Sequence, residues 1–88
     1  MWKIRIRRKL ERRIAGYPDR IQALYMALKE DLTIDGPVQT SWPNYSKLGA
    51  REHHCHLTHH YVACWRVISD DELEMEVYYV GSRENAPY

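Results

Sequence analysis

The stretch from Glu72 to Val80 alternates between two kinds of side chain more regularly than any other part of the sequence. One side carries the residues Leu73, Met75, Val77 and Tyr79. The other side carries Glu72, Glu74, Glu76 and Tyr78. A period of two over this length predicts a half-buried β-strand, which needs partner strands and a layer that covers its apolar face. Gly81 is expected to end this strand.

Two further segments, Glu52–Thr58 and Tyr61–Ser69, predict an antiparallel hairpin. With His59-His60 as a two-residue turn, Cys55 lies opposite Cys64 and His54 lies opposite Trp65. The face toward the helices then carries Cys55, Leu57, Val62 and Cys64. The outward face carries His54, His56, Ala63 and Trp65. A His-His turn lacks the usual Asn-Gly chemistry, so a longer loop and another register stay open.

The N-terminal half predicts one strand and two helices. Trp2 to Ile6 alternates as a strand would, with a helical start as the alternative. Arg8 to Ala15 predicts a short helix that ends at Gly16. Pro18 to Asp31 predicts a longer helix, because its apolar residues recur at helical spacing. That buried stripe consists of Ile21, Leu24, Tyr25, Leu28 and Leu32.

A connecting loop from Val38 to Arg51 is expected to pack on the body through Trp42, Tyr45 and Leu48. The predicted order is therefore β-α-α-loop-β-β-β. We expect an α+β fold, with an antiparallel twisted sheet and two helices packed against it. The 88 residues are expected to form a single domain, residues 1–88.

The composition, 44% hydrophobic and 28% charged, favours a folded protein over a disordered chain. No apolar run approaches the roughly 20 residues needed to cross a bilayer. The N-terminal residues lack the apolar core of a signal peptide. We therefore expect a cytoplasmic protein without a membrane partner, whose two cysteines are reduced and buried.

The net charge of +1 conceals a strong asymmetry along the chain. Residues 1–20 hold eight Lys or Arg and two acidic residues, a net of +6. Residues 67–88 hold six acidic residues and one Arg, a net of −5. Such an asymmetry indicates either a face for an anionic partner or pairing of the two segments within the fold.

The five histidines and two cysteines between His53 and Cys64 are good zinc ligand types. However, strand alternation separates Cys55 from His54 and His56, and no Cys-x2-Cys pair is present. We therefore expect no metal site and no small-molecule cofactor.

The histidines of this segment, with cations and a tyrosine from other segments that could converge on the outer face and end of the sheet, predict a site that acts on RNA without a metal. Histidine can accept or donate a proton near neutral pH, Arg and Lys can hold charge on a phosphate, and tyrosine can donate a proton or stack on a base. The candidate catalytic residues are Lys47, His54, His56, Arg83 and Tyr88. The candidate RNA-binding residues are Lys47, Arg51 and Trp65. The alternative is an ordinary solvated sheet face.

The sequence resembles the RelE/ParE toxin superfamily of bacterial type II toxin–antitoxin systems, and within it the RelE/HigB-like translational repressors. The resemblance is carried by several short motifs along the chain. They are Gly36-Pro37-Val38, Trp42 to Gly49, His54 to Leu57, Tyr61 to Trp65, Tyr79 to Arg83, and Pro87-Tyr88.

This resemblance implies a ribosome-dependent mRNA endonuclease, an enzyme that inhibits translation and is neutralised by a cognate antitoxin protein. Such enzymes attack with the 2′-oxygen and leave a cyclic phosphate. Arg83 and Tyr88 match the family's arginine after the last long strand and its terminal tyrosine, and Lys47 matches a lysine before the second strand more loosely. His54 and His56 stand where many relatives carry basic residues. The alternatives for this chain are a ParE-like gyrase inhibitor that does not cut RNA, or an inactive relative that only binds a protein. An acidic, partly disordered antitoxin would suit the basic N-terminal segment and the apolar helical surfaces.

Overall fold

The computed structural model describes all residues, 1–88, as two helices on one face of a five-stranded sheet. The α+β class and the order of the main elements are thus confirmed. In chain order the elements are β1 (Lys3–Ile6), α1 (Arg8–Ala15), α2 (Asp19–Asp35), β2 (Ser46–Lys47), β3 (Glu52–His56), β4 (Tyr61–Ser69), β5 (Glu74–Ser82) and a short 3-10 helix (Arg83–Asn85). The strand order is β1-β5-β4-β3-β2. Neither α-helix is long and apolar enough to cross a membrane.

The sheet is mixed rather than antiparallel throughout, because β1 pairs with β5 in parallel. This pairing places the basic first strand beside the acidic last one. Arg5 Nε donates to Glu74 Oε2 at 2.7 Å, and Arg7 Nε lies 3.4 Å from Glu76 Oε2. Part of the charge asymmetry is therefore satisfied within the fold, as one of the two interpretations of the sequence required.

The hairpin register differs by one residue from the predicted one. The connection is a four-residue loop, 57–60, in which Thr58 Oγ1 accepts hydrogen bonds from the backbone N–H groups of His60 and Tyr61. His54 consequently pairs with Cys64, and Cys55 pairs with Ala63. Because side chains alternate between faces, this slip exchanges the two faces of β4. The predicted pairing of the two cysteines with each other is wrong.

Trp65 is the residue most affected by this slip. It has no exposed surface and belongs to the core between the sheet and the helices. Its indole Nε1–H donates to the carbonyl of Pro37 at 2.9 Å, and its ring stacks on His53 at 6.0 Å between centroids. The predicted position of Trp65 on the outward face is wrong, and a ring without exposed surface cannot stack on an RNA base.

A bulge in β5 changes the alternation that the sequence predicted there. Cys64 pairs with Tyr79 while the next residue, Trp65, pairs with Val77, which leaves Tyr78 as the extra residue. Val80 therefore points into the core and Tyr79 does not, so the predicted core position of Tyr79 is wrong.

Both helix predictions describe the molecule well, although α2 continues beyond its predicted end. Its last turn extends to Asp35 and stops at Gly36, whose φ is 90°. Any Cβ at Gly36 would also lie 2.9 Å from Nε1 of Trp2, so glycine is required there for space as well as for conformation. The connecting loop packs on the body as predicted, with Trp42 Nε1 donating to Asp31 Oδ2 at 2.8 Å.

Replacing Trp65 by Ala should lower the free energy of unfolding by about 3–5 kcal/mol, because it leaves a cavity beside His53 and an unpaired carbonyl on Pro37. Trp65→Phe should lose less. Urea titration followed by circular dichroism measures both changes. As the matched control on the same strand, the exposed Ile68→Ala should change the value by less than about 1 kcal/mol. Equal effects of the Trp65 and Ile68 substitutions to Ala would contradict this account of the core.

Candidate functional site

The candidate site lies on the sheet face opposite the helices, where β3 meets the C-terminal tail. His54 and His56 lie two residues apart on β3, with ring centroids 5.8 Å apart. The Tyr88 ring lies against His54 at 4.5 Å between centroids. Two histidines and the tyrosine, separated by more than 30 positions in the sequence, thus form one cluster.

The turn after β5 directs the tail toward β3. The side-chain oxygen of Ser82 accepts from the backbone N–H of Asn85 and begins the 3-10 helix. Arg83 donates its backbone N–H to the carbonyl of His60 at 2.8 Å, which ties the start of the tail to the hairpin loop. Local capping and one loop contact therefore hold Arg83 near the end of β3 and allow Tyr88 to reach His54.

An open cavity of about 380 Å³ adjoins the cluster at the end of β3. Its lining includes two predicted site residues, His56 and Arg83. The other lining residues are Pro43, Asn44, Leu57, Thr58 and His59. Pro43 and Asn44 were not predicted as site residues, although this pair is typical of a turn, and such a turn can bring the loop close to β3. The backbone N–H of His56 indeed donates to the carbonyl of Pro43 at 2.8 Å.

The electrostatic surroundings favour a neutral His56. Burial lowers its pKa from the ordinary 6.5, and the positive charges of His54, Arg83 and His59 lower it further. Burial raises the pKa of the Tyr88 phenol, so this hydroxyl keeps its proton at neutral pH. The site therefore offers a proton acceptor, a proton donor and the guanidinium of Arg83 beside one cavity.

His54 differs from His56 in its surroundings, because the Tyr88 ring covers His54. Only 8% of its surface is exposed, and its Nδ1 lies 3.1 Å from the side-chain oxygen of Ser46 on β2. Ser46 was not predicted as part of the site, since no pattern in its loop indicated a short edge strand. A buried, hydrogen-bonded imidazole under the Tyr88 ring is suited to positioning that ring.

Two predicted cations lie apart from this cluster. Lys47 pairs with His53 across β2 and β3, and paired residues share a face, so Lys47 lies on the side of His53 rather than of His54. Arg51 precedes the opposite end of β3, where it donates to the carbonyl of Val67 and forms an ion pair with Asp70 at 3.1 Å. Their expected convergence with the histidines is wrong.

The cysteines do not add a nucleophile to the site. Both are free and buried, and burial raises the pKa of each thiol to about 12. Cys55 belongs to the core. Cys64 pairs with His54 and lies beside it on the sheet face opposite the helices. No three histidine, cysteine or carboxylate side chains come together in an arrangement that could hold a metal ion.

Comparisons of the sequence find no match to a protein-family model and no match to a curated protein. Comparisons of the structure find similar solved structures. The protein superposes on a chain of the archaeal RelE–RelB complex from Pyrococcus horikoshii OT3 with a TM-score of 0.75, at 9% identity, over 97% of this chain and 98% of that one. It matches the YoeB–YefM complex from Staphylococcus aureus with a TM-score of 0.70, at 9% identity, over 92% of this chain and 95% of that one.

A metal-bound toxin from Helicobacter pylori is also similar, with a TM-score of 0.64 and 19% identity over 96% of this chain and 97% of that one. At these identities the likeness concerns the fold. The chain has the fold of the RelE-like toxin superfamily.

The histidines predict how stability depends on pH. Burial, with Lys47 as the lesser cause, lowers the pKa of His53, and burial also lowers that of His56. The unfolded chain therefore binds protons more readily than the folded one once the pH falls through the ordinary value of 6.5. The free energy of unfolding should be highest above this pH and should fall as the pH drops toward the lower folded-state values.

Urea titrations from neutral pH to about pH 5 measure this dependence. His53→Gln should have a shallower slope than the parent chain, because it removes one of the two groups. His60→Gln, at an exposed turn position, serves as the control and should keep the parent slope. A stability that is unchanged across this range would contradict the assignment.

Proposed function

We propose that this protein is the toxin of a type II toxin–antitoxin pair and cuts mRNA on the ribosome without a metal ion. The observation that carries the proposal is the position of three side chains on a RelE-like fold: His56 and Arg83 line one open cavity, and Tyr88 lies in the ring cluster that adjoins it. These three side chains have the proton-transfer and charge-binding properties that RNA cleavage requires.

In the proposed reaction, neutral His56 takes the proton of a ribose 2′-hydroxyl. The 2′-oxygen then bonds to the adjacent phosphorus, and the bond from phosphorus to the 5′-oxygen breaks. Tyr88 gives its proton to the leaving 5′-oxygen, which is a stronger base than the phenolate that remains. The products are a 2′,3′-cyclic phosphate and a 5′-hydroxyl, so atoms and protons balance.

Arg83 supplies the positive charge for the phosphate while the new bond forms. Its guanidinium is exposed at the cavity, is permanently charged and can bind two phosphate oxygens at once. Its proximity also keeps His56 neutral and therefore able to accept a proton. His54 is proposed as a positioning residue, because its ring packs against the Tyr88 ring.

His56→Ala and Arg83→Ala should each lower the rate of mRNA cleavage by about 10²–10⁴-fold, because each removes one element of proton transfer or charge stabilisation. Primer extension on ribosome-bound mRNA, with purified protein, measures the rate. Arg20→Ala, at an exposed position of α2 outside the cavity lining, is the matched control and should cut at the parent rate. Tyr88→Phe separates proton donation from stacking.

The superfamily also contains gyrase inhibitors, and induction of the parent chain in bacteria distinguishes a gyrase inhibitor from an mRNA endonuclease. Intact mRNA together with DNA breaks after induction of the parent chain would contradict the proposed cleavage. Parent-like cleavage by both His56→Ala and Arg83→Ala would contradict the site while leaving the activity.

We propose further that a cognate antitoxin covers the outer surface of α2. Three large apolar side chains are exposed there side by side, Met1 at 84%, Met26 at 58% and Ile34 at 55%. Large exposed apolar groups that share one surface commonly mark a protein interface. This surface lies on the opposite side of the sheet from the cavity, so the proposed antitoxin contacts and RNA contacts can be tested separately.

Met26→Asp combined with Ile34→Asp should weaken antitoxin binding by about 100-fold, since two apolar anchors are lost. Growth arrest by the variant alone should persist, and co-expressed antitoxin should no longer relieve it. Isothermal titration with the product of the adjacent gene measures the affinity. Thr40→Asp combined with Ser41→Asp adds the same two negative charges at exposed loop positions outside this surface and is the control. Full relief of the double variant by the antitoxin would contradict the assignment.

A further inference from the structure

A second cleft, which the proposed chemistry does not use, lies at the free edge of β5. β1 pairs with β5 only along Glu74 to Val77, whereas β5 continues to Ser82. The chain turns from β1 into α1 at this point and leaves an opening of about 280 Å³, here named the α1–β5 cleft. Its lining residues are Arg7, Lys9, Leu10, Arg13, Arg66, Glu76, Val77, Tyr78 and Tyr79.

The α1–β5 cleft carries a surplus of positive charge. Four cations line it, Arg7, Lys9, Arg13 and Arg66, against the single carboxylate of Glu76. Glu76 is already shared between Arg7 at 3.4 Å and Arg66 at 3.7 Å. Lys9 and Arg13 are exposed and form no ion pair. Such a group of unneutralised cations in a concave site concentrates an anionic ligand.

One cation of the cleft is held in a fixed orientation. The Arg66 guanidinium lies 4.0 Å above the Tyr78 ring, and the Tyr78 hydroxyl donates to Glu52 at 2.8 Å. A guanidinium that is stacked in this way presents its planar edge to a ligand and loses little entropy when it binds a phosphate.

Tyr79 lies between the cleft and the candidate site. Tyr79 lines the cleft, and its hydroxyl donates to the carbonyl of Ser82, immediately before Arg83. Tyr79 is also close enough to Tyr88 to influence it electrostatically. β5 lies two strands from β3, about 10 Å across the sheet. The cleft residue Arg66 lies four residues along β4 from Val62, the partner of His56, which adds about 13 Å along the strands. A strand of RNA held at His56 therefore needs to extend by only a few nucleotides to reach the cleft.

We infer that the α1–β5 cleft binds the phosphate backbone of the same RNA strand, a few nucleotides from the bond that is cut. This inference rests on the proposed function. Lys9 and Arg13 contribute charge, Arg66 contributes a preoriented phosphate ligand, and Tyr79 contributes an aromatic surface between the two sites. Contacts of this kind hold the backbone without reading its sequence.

An acidic protein segment is the competing occupant of a basic cleft. RNA is favoured because Tyr79, which lines the cleft, donates to the carbonyl of Ser82 next to Arg83, whereas the exposed apolar surface of α2 lies elsewhere. A phosphate also matches the stacked guanidinium of Arg66 in geometry.

The test measures binding of a short, fluorescently labelled, single-stranded RNA to the full chain, without ribosomes. The RNA carries 2′-O-methyl groups throughout, so it has no attacking hydroxyl and stays intact. Lys9→Ala and Arg13→Ala should each weaken binding by about fivefold at moderate salt. Each should also lower the slope of log affinity against log salt concentration by about 0.7.

Arg12→Ala is the matched control, because Arg12 is an exposed α1 arginine outside the cleft. It should keep the parent salt slope. Equal losses for Arg12→Ala and Arg13→Ala would overturn the inference, since net charge alone would then explain the binding. Unchanged RNA affinity in both cleft variants, with lost binding of a polyglutamate peptide, would overturn it in favour of an acidic protein partner.

Failure of the inference and failure of the proposed function give different results. His56→Ala should retain RNA binding while it loses cleavage, because His56 lies outside the cleft. If the parent chain cuts no mRNA but the cleft variants still lower the salt slope, the cleft remains an RNA-backbone site and only the catalytic proposal falls.

Discussion

The register between β3 and β4 is the constraint on which the remaining structure depends. Side chains on a strand alternate between faces, so a slip of one residue would place Cys64 in the core and Trp65 in solvent. The four-residue loop, with the Thr58 hydroxyl bonded to the backbone N–H groups of His60 and Tyr61, selects the observed register. The buried Trp65 ring then occupies the space between sheet and helices, and the faces of His54 and His56 follow.

The elements that could be predicted are those set by local sequence. The apolar spacing and Gly16 defined α1, and alternation located β1, β4 and β5. Local patterns cannot show which strands become neighbours, and for this reason the parallel pairing of β1 with β5 was missed. The bulge at Tyr78 arises from the pairing of two strands, so the β5 sequence alone could not reveal it.

The residues of the candidate site likewise fall into those that local sequence predicts and those whose position depends on strand pairing. The grouping of His54 with His56 follows from their spacing on one strand, and Arg83 reaches them through a capped turn that the sequence indicated only as a strand end. Lys47 and Arg51 were chosen for their charge, but pairing geometry rather than charge decides which face or end they occupy. Residue type thus suggested candidate residues, while long-range pairing decided which of them are neighbours.

The parallel pairing of β1 with β5 also has a consequence for how the chain is made. β1 is synthesised before the other strands, yet its only strand partner is β5, the last strand in the sequence. An edge strand without its neighbour has unpaired backbone groups, so β1 must wait until β5 has been translated. The contacts that complete the sheet span most of the chain, and such long-range contacts slow folding. The basic first strand of a nascent chain therefore remains unpaired until β5 has left the ribosome.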